Sequence, residues 1–279
     1  MIKFFRKIRQ RLLTENKFSK YLLYSIGEVV LVVIGILIAV QINSMYQNKN
    51  RLKSEEILLT QLRGELIGIY GDLYNDLEKL IKSDNSHFKI LYYLENNLPY
   101  QDSLCVDFYF LKQDEYIYPE KAVFGKIKEE GLDIVRNDSI RLFTQALYES
   151  VFPRISKESS FTQDISEYLD AYYLDHFRPN RNYDLQITTT TKADSISNIV
   201  FDERTNNYPY EYSINGKKRK FTIGFVPLNF EALKNDTRFL MLLEKVDDSR
   251  SYKINRYKSA KEIVRILVKL IDVELESSF

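Results

Sequence analysis

The stretch YLLYSIGEVVLVVIGILIAVQIN, residues 21–43, decides how the rest of the chain is organised. Its first 22 residues would extend about 33 Å as a helix, and the hydrocarbon core of a bilayer is about 30 Å thick. Val29–Val40 contains no polar side chain, and Tyr24 and Tyr46 flank it where aromatic residues line membrane interfaces. The stretch therefore predicts one uncleaved transmembrane helix over residues 21–43.

Two other interpretations fit parts of this stretch. Glu28 interrupts it and leaves 12 purely apolar residues, a length also found in buried core helices and in signal peptides. A signal peptide needs small residues at a cleavage site, and only a poor site lies around Ala39. A core helix would not explain the cations that precede it. We therefore favour the membrane helix.

Charge predicts the orientation of this helix. Residues 1–20 carry seven Lys and Arg against the single acid Glu15, whereas residues 43–60 carry three bases and two acids. Because cytoplasmic flanks retain positive charge, we expect a cytoplasmic N-terminus and a periplasmic domain over residues 44–279 of a bacterial inner-membrane protein. The first block is predicted to be an amphipathic segment on the inner leaflet, or simply a topology signal. Its membrane-surface cations are Lys3, Arg6, Lys7, Arg9 and Arg11.

Composition limits the classes of function. The 279-residue chain has, beyond residue 20, 33 Lys and Arg against 38 Asp and Glu. This mildly acidic body argues against nucleic acid as a partner, since nucleic-acid binding requires a basic face. Cys105 is the only cysteine, so no intrachain disulfide forms.

The residues after the span predict a long stalk helix over about 52–96, continuing the membrane helix. Its apolar residues step by three or four, as in a helix that packs against partners. They are Leu59, Leu62, Leu66, Ile69, Leu73, Leu77 and Leu80. Gly64 and Gly68, one turn apart, either permit another helix to approach or weaken this one locally.

Further helices are predicted over about 119–177 and 228–276. Residues 101–118 are ambiguous between a strand and a helical turn. Pro119 suits a first helical position and Gly131 a C-cap, while Asn137–Asp138–Ser139 and Asn235–Asp236–Thr237 predict N-caps. The pattern predicts one helix from Arg154 to Phe177, a short helix after Thr237, and a last helix over about 251–276.

An irregular insertion with a β-hairpin is predicted over about 178–226. The tetrad TTTT at 188–191 favours extended backbone, and Asn215–Gly216 between two strand-prone runs predicts a type I′ turn. The run Lys217–Lys220 lies either on a solvated face or against something anionic. The predicted fold is thus mainly α: a transmembrane helix continuing into a stalk, then a helical bundle-like domain with a small β-hairpin insertion.

A family resemblance rests on three stretches. MIKFFRKIRQRLLTENKFSKYLLYSIGEVVLVVIGILIAVQIN, LENNLPYQDSL and FGKIKEEGLDIVRNDSIRLFTQALY resemble recurring segments of a family of bacterial single-pass membrane proteins of unknown function. The resemblance spans roughly the first 150 residues. It implies a topology and a mostly helical fold, and it implies no catalytic residues.

No motif commits the chain to a chemistry. The sequence lacks GxxxxGK[ST], GxGxxG and GxSxG patterns. The two histidines, His87 and His176, have no Cys or HExxH partner, so we interpret them as polar structural residues rather than metal ligands. No catalytic, cofactor-binding or metal-binding residue and no cofactor is predicted. A carboxylate pair of the glycosidase type remains open, because such pairs meet only in space.

Glu28 is the residue from which we predict a contact in the membrane, because an acid inside a span usually faces protein or water. At 100° per residue, Glu28, Gly35, Ala39 and Asn43 fall on one side of the helix, which we call the Glu28 stripe. Gly35 and Ala39 form a small-xxx-small pattern that permits close helix approach. The stripe predicts a helix–helix contact, either in a homo-oligomer or with a partner membrane protein. The alternative places Glu28 at the inner headgroup level, with the span shifted outward to about Met45.

Three functions fit these patterns. The first is a membrane-anchored, non-enzymatic protein for binding or sensing, or a scaffold or accessory subunit, acting through protein partners. The second is an anchored envelope hydrolase that uses a carboxylate pair. The third is a structural subunit of a larger membrane assembly, which an exposed apolar face over Leu59–Leu80 would favour.

Overall fold

The fold is mainly α-helical, as predicted. A computed structural model describes residues 18–157 and 164–277, and the chain divides into two compact units, residues 1–56 and 57–279. In the described residues the helices are α1 (Phe18–Glu95), α2 (Leu104–Leu111), α3 (Ala122–Glu130), α4 (Asp138–Ala146), α5 (Ile165–His176), α6 (Phe230–Leu233) and α7 (Thr237–Ser277). Short 3₁₀ turns at Leu132–Ile134 and Phe152–Arg154 and a π-helical turn at Leu147–Val151 connect some of them.

The described part of the first unit is the beginning of α1. Its most apolar window has a mean hydropathy of 2.5, and none of that window is buried. The large apolar side chains between Val29 and Ile42 are 47–73% exposed. By length and composition the helix can cross a membrane. A core helix would be buried, so the described residues do not support that interpretation.

The second unit is built on α1 and α7. Hydrogen bonds join the two helices at three levels, and the residue numbers fall along α7 as they rise along α1. The joined residues are Arg63 and Asp272, Tyr70 and Arg265, and Ser83 and Arg250. The two helices are therefore antiparallel and run the length of the core.

The predicted apolar seam of α1 is buried. Leu59, Leu62, Leu66, Ile69, Leu73, Leu77 and Leu80 are each at most 6% exposed. They pack with α3, α4 and the second half of α7, while α2, α5, α6 and the first half of α7 form a second cluster. The exposed apolar face over Leu59–Leu80 that would favour a structural subunit is therefore not found, because the unit's own helices cover these residues.

Three predicted helix boundaries are wrong. The helix expected from Arg154 begins only at Ile165, because Asp164 caps a new helix by accepting from the Ser166 amide. Pro119 is not a first helical residue. Helix α3 starts at Ala122, where the Val123 amide donates to the side chain of Glu65 on α1 at 3.1 Å.

The third wrong boundary lies in α7. The short helix after Thr237 and the last helix over 251–276 are one continuous helix, Thr237–Ser277. Buried side chains at its middle, Arg250 and Lys253, hold it against the core.

Other local predictions are confirmed. The ambiguous residues 104–111 form a helix, α2, with four buried side chains. Asn137 caps α4 by accepting from the amides of Ser139 and Ile140, and Asp236 caps α7 by accepting from Arg238 and Phe239. Gly131 ends α3 with a φ of +95°.

The insertion consists of short antiparallel strand pairs. The strands are β1 (Phe177–Pro179), β2 (Ile187–Thr191), β3 (Asp194–Ile196), β4 (Ile199–Phe201), β5 (Arg204–Tyr208), β6 (Tyr210–Ile214), β7 (Lys217–Phe221) and β8 (Phe225–Pro227). They pair as β1–β8, β2–β5, β3–β4 and β6–β7. The predicted Asn215–Gly216 turn joins β6 to β7, with positive φ at both residues.

A close approach occurs at Gly71 on α1. A Cβ at Gly71 would lie 2.7 Å from Cε1 of Phe201, at the end of β4, whose ring also packs against Tyr70 and Tyr74. At Gly64 and Gly68 nothing lies within 4 Å of the Cβ position. In the described residues, the tight packing on α1 is therefore made by an aromatic ring at Gly71, and no helix approaches the other two glycines.

These glycines give a matched pair of substitutions. Gly68→Ala should stabilise the fold by up to about 1 kcal/mol, because alanine favours the helix. Gly71→Ala should destabilise it by about 1–2 kcal/mol, because the new methyl group displaces the Phe201 ring. Urea unfolding of the full chain in detergent, followed by circular dichroism, measures both. Equal effects of the two substitutions would contradict the proposed packing at Gly71.

Candidate functional site

Two buried cations on α7 mark a polar region of the interior. Arg250 and Lys253 are both 0% exposed. Lys253 Nζ donates to Asp114 Oδ1 at 2.6 Å and lies 3.7 Å from the ring centroid of Tyr116. Burial lowers the pKa of Lys253, and the Asp114 carboxylate opposes that shift. The carboxylate and the ring face thus replace the water that a buried ammonium group loses.

Asp114 accepts hydrogen bonds from its own segment, from α5 and from α7. Besides Lys253, its carboxylate accepts from the Glu115 amide and the Tyr116 hydroxyl, both at 3.0 Å, and from the Ile165 amide at 3.3 Å. Ile165 begins α5, so the carboxylate also lies at the positive end of that helix. With four donors around it, Asp114 joins segment 112–116, α5 and α7.

Arg250 holds the end of α2. Its Nη2 donates to the carbonyl of Leu111, the last residue of α2, at 2.7 Å and to that of Gln113 at 3.3 Å. Its Nη1 donates to the Ser83 carbonyl of α1 at 3.4 Å. Carbonyl groups at a helix C-terminus lack helical partners, so this guanidinium satisfies groups that would otherwise be buried without one. Burial lowers the pKa of Arg250 to about 10, which leaves it charged at neutral pH.

A cavity of about 270 Å³ lies beside Asp114. It is lined by Tyr109, Lys112, Gln113, Asp114, Tyr116, Asp164, Ser166 and Phe225. Lys112 Nζ pairs with Asp170 at 2.5 Å and lies 5.3 Å from the Phe225 ring centroid. The Ser166 hydroxyl donates to Asp164, which caps α5, so this pair serves the helix terminus. The lining thus combines aromatic walls with charged side chains, as in sites that bind small polar molecules.

Two carboxyl groups, those of Asp76 on α1 and Glu115, meet outside the cavity lining. Burial, and then the neighbouring Glu115 carboxylate, raise the pKa of Asp76 to about 7. Lys79 Nζ lies 2.9 Å from Glu115 and 3.8 Å from Asp76, which partly offsets the repulsion. Neither carboxyl group lines the cavity. The pair therefore holds a proton near neutral pH but does not face that opening.

This pair predicts a pH dependence of stability. The pKa of Asp76 is higher in the folded chain than in the unfolded one, so folding takes up a proton between about pH 4 and 7. The free energy of unfolding should therefore fall as pH rises through this window and level off above it. Asp76→Asn should remove this dependence and raise stability at pH 8 by an amount on the order of 2–3 kcal/mol. If the free energy of unfolding of the Asp76→Asn variant depends on pH as steeply as that of the parent, the assignment to Asp76 is contradicted.

The structure places the Glu28 stripe on the exposed apolar part of α1. Glu28 is half-buried, and Gly35, Ala39 and Asn43 are exposed, with nothing within 4 Å of a Cβ at Gly35. The described residues bring no second helix against this stripe, so the contact stays a prediction. The predicted cations Lys3, Arg6, Lys7, Arg9 and Arg11 lie outside the described residues.

Both histidines pack against other residues of the protein. His87 is buried on α1, and burial lowers its pKa. His176 stacks on Tyr172 with ring centroids 3.9 Å apart. Among the described residues, no three His, Cys, Asp or Glu side chains are grouped so that they could hold a metal ion.

Comparisons with known proteins identify no relative of this chain. No family model matches the chain, and neither curated proteins nor solved structures give a match. The resemblance to single-pass membrane proteins of unknown function therefore stays a prediction.

Sequence reasoning missed the buried cations, although a signal was present. Val246, Arg250, Lys253 and Tyr257 follow one another at helical spacing and are all buried. Two cations on an otherwise apolar stripe indicate buried charges, which need partners. The partners could not be named, because Asp114 lies 139 residues away in the chain.

Proposed function

We propose that this chain is a single-pass protein of the bacterial inner membrane whose helical domain works without catalysis, as a binding, sensing or scaffold subunit acting through protein partners. The observation that carries the proposal is the exposed apolar stretch of α1, which continues without a break into the helix that forms the core of the second unit. Apolar side chains lie in a membrane without a free-energy cost, whereas exposing them to water is unfavourable.

The proposed orientation of the membrane helix rests on charge. Seven Lys and Arg precede the apolar stretch within residues 1–20. The N-terminus is then cytoplasmic and residues 44–279 are periplasmic.

Single-cysteine labelling tests the orientation. Cys105 is 1% exposed, and its replacement by serine gives a cysteine-free background. Ser251→Cys, at an exposed position of α7, should react with a membrane-impermeant maleimide in cells with a permeabilised outer membrane. Ser19→Cys, which precedes the apolar stretch, should react only after lysis. The reverse labelling pattern would overturn the orientation.

Helix contacts in the membrane are the proposed route to partners. Gly35→Cys and Ala39→Cys on the Glu28 stripe should form disulfide-linked dimers in native membranes if the partner is a second copy. Val33→Cys and Leu37→Cys lie at similar depth on the opposite side of the helix and serve as controls. Equal or absent cross-linking at all four positions would rule out a homo-oligomer through this stripe, and leave a different membrane protein as the partner.

One observation favours the second candidate, an anchored hydrolase. Asp76 and Glu115 form a carboxyl pair in which the pKa of Asp76 is raised to about 7, within the range of a general acid. Lys79 and the absence of both groups from the cavity lining weigh against it. Purification from gently solubilised membranes separates the two candidates. A stoichiometric protein partner supports the first, and a monomer alone would count against it.

A further inference from the structure

The hairpin β6–β7 has two chemically different faces. Its register pairs Tyr210 with Phe221, Tyr212 with Arg219, and Ile214 with Lys217. Because directly opposed residues share a face of the sheet, these six side chains lie together. We call them the aromatic face. Glu211, Ser213, Lys218 and Lys220 occupy the other side.

The aromatic face is open to solvent. Tyr210 is 47% exposed, Ile214 52% and Phe221 41%. The rings of Tyr210 and Phe221 contact each other with centroids 5.3 Å apart, and Tyr212 lies 6.1 Å from Tyr210. The sheet has only two strands, and such a hairpin is marginal when nothing covers it. Tyr212 is half-buried and the Tyr208 ring packs beside Tyr210 and Phe221, so the face is partly covered at that end and open to solvent at Ile214.

The same hairpin concentrates positive charge. Lys217, Lys218, Arg219 and Lys220 oppose the single acid Glu211, which gives +4 − 1 = +3 over residues 210–221. Lys220 lies 4.0 Å from Glu211. In the described residues the other three cations have no carboxylate within 4.0 Å. This contrasts with the chain beyond residue 20, which carries more acids than bases.

We propose that the hairpin β6–β7 docks on an anionic phospholipid surface. Tyrosine and phenylalanine rings lie at the level of lipid headgroups, and Lys and Arg pair with headgroup phosphates. Lys217 and Arg219 lie on the aromatic face itself, so apolar and cationic contacts form on the same surface. A lipid surface accepts both without a matched pocket, whereas an acidic protein would need apolar pockets in register with the cations. The proposal rests on the hairpin and not on the orientation of α1.

The chain has no tryptophan, so a single one reports on this surface. The full chain carrying Phe221→Trp is placed in nanodiscs. Phosphatidylglycerol is supplied either in the nanodisc or on separate vesicles, and phosphatidylcholine replaces it in the reference. We expect a blue shift of the tryptophan emission with phosphatidylglycerol in at least one arrangement, and none with phosphatidylcholine.

Two charge variants of the reporter separate the hairpin from general electrostatics. Changing Lys217, Lys218, Arg219 and Lys220 to glutamine should weaken the response to phosphatidylglycerol tenfold or more. The control changes four exposed lysines elsewhere to glutamine, which lowers the net charge equally and should leave the response unchanged. These control residues are Lys121, Lys126, Lys258 and Lys269.

Three results would overturn the proposal. The first is an equal response to both lipids or to neither. The second is an equal loss in the two charge variants. The third is a blue shift with soluble polyglutamate but not with phosphatidylglycerol, which would make the hairpin a site for acidic polypeptides. If lysines serve only to keep the strand edges from pairing, the hairpin variant self-associates and the parent shows no lipid response.

Discussion

Replacing Asp114 with alanine is expected to lower the free energy of unfolding by about 3–5 kcal/mol, because it leaves the buried Lys253 ammonium without the carboxylate that is hydrogen-bonded to it. The Lys253 and Asp114 side chains are 0% and 2% exposed, so neither charge is solvated in the native fold. The same substitution leaves the first amide of α5 without its acceptor and removes one of the two carboxylates next to the Tyr116 hydroxyl. Both losses add to the cost of the unpaired cation.

A double substitution separates the charge from the packing. Lys253→Met with Asp114→Asn removes both charges and keeps similar volumes, and it should recover most of the lost stability. Glu262→Ala is the matched control. It breaks the exposed pair with Arg265, whose side chains are 57% and 44% exposed, and should cost no more than about 0.5 kcal/mol. Urea unfolding of the full chain in detergent measures all three variants. An Asp114→Ala effect as small as that of the control would show that the buried pair is not important for stability.

The local features of this fold were predictable because their causes are local. Leu59–Leu80 follows a helical period, and it is buried as a helix face. Asn137 and Asp236 cap helices because short polar side chains reach the amides that follow them. Asn215–Gly216 turns a hairpin because both residues tolerate positive φ.

The missed features depend on contacts between distant parts of the chain. The shortened helix α5 and the continuous α7 are decided by Asp164 and by the burial of Arg250 and Lys253. The Gly71–Phe201 contact joins α1 to a strand 130 residues later, and no periodicity indicates it. The Asp114–Lys253 pair could not be predicted for the same reason. Periodicity predicts which face of a helix is buried, but not which charge on another segment meets a cation on that face.

Placing two arginines in the apolar stretch of α1 should release the protein from the membrane. Ile34 and Leu37 are 50% and 61% exposed and lie near the middle of the stretch. Each arginine there costs about 2.5–3.5 kcal/mol for insertion. The double variant Ile34→Arg/Leu37→Arg should therefore lose about 5–7 kcal/mol of insertion free energy.

The same helix supplies a control of equal exposure. Leu52 and Ile57 are 44% and 48% exposed on α1 but lie beyond the apolar stretch. Leu52→Arg/Ile57→Arg should remain in the membrane fraction, because these positions are expected to be in water. Carbonate extraction and sedimentation of both variants measure the difference. If the Ile34/Leu37 variant stays in the pellet as firmly as the control, the apolar stretch is not a membrane span. The exposed side chains from Val29 to Ile42 would then need a protein partner to cover them, which would make that stretch an interface along its whole length.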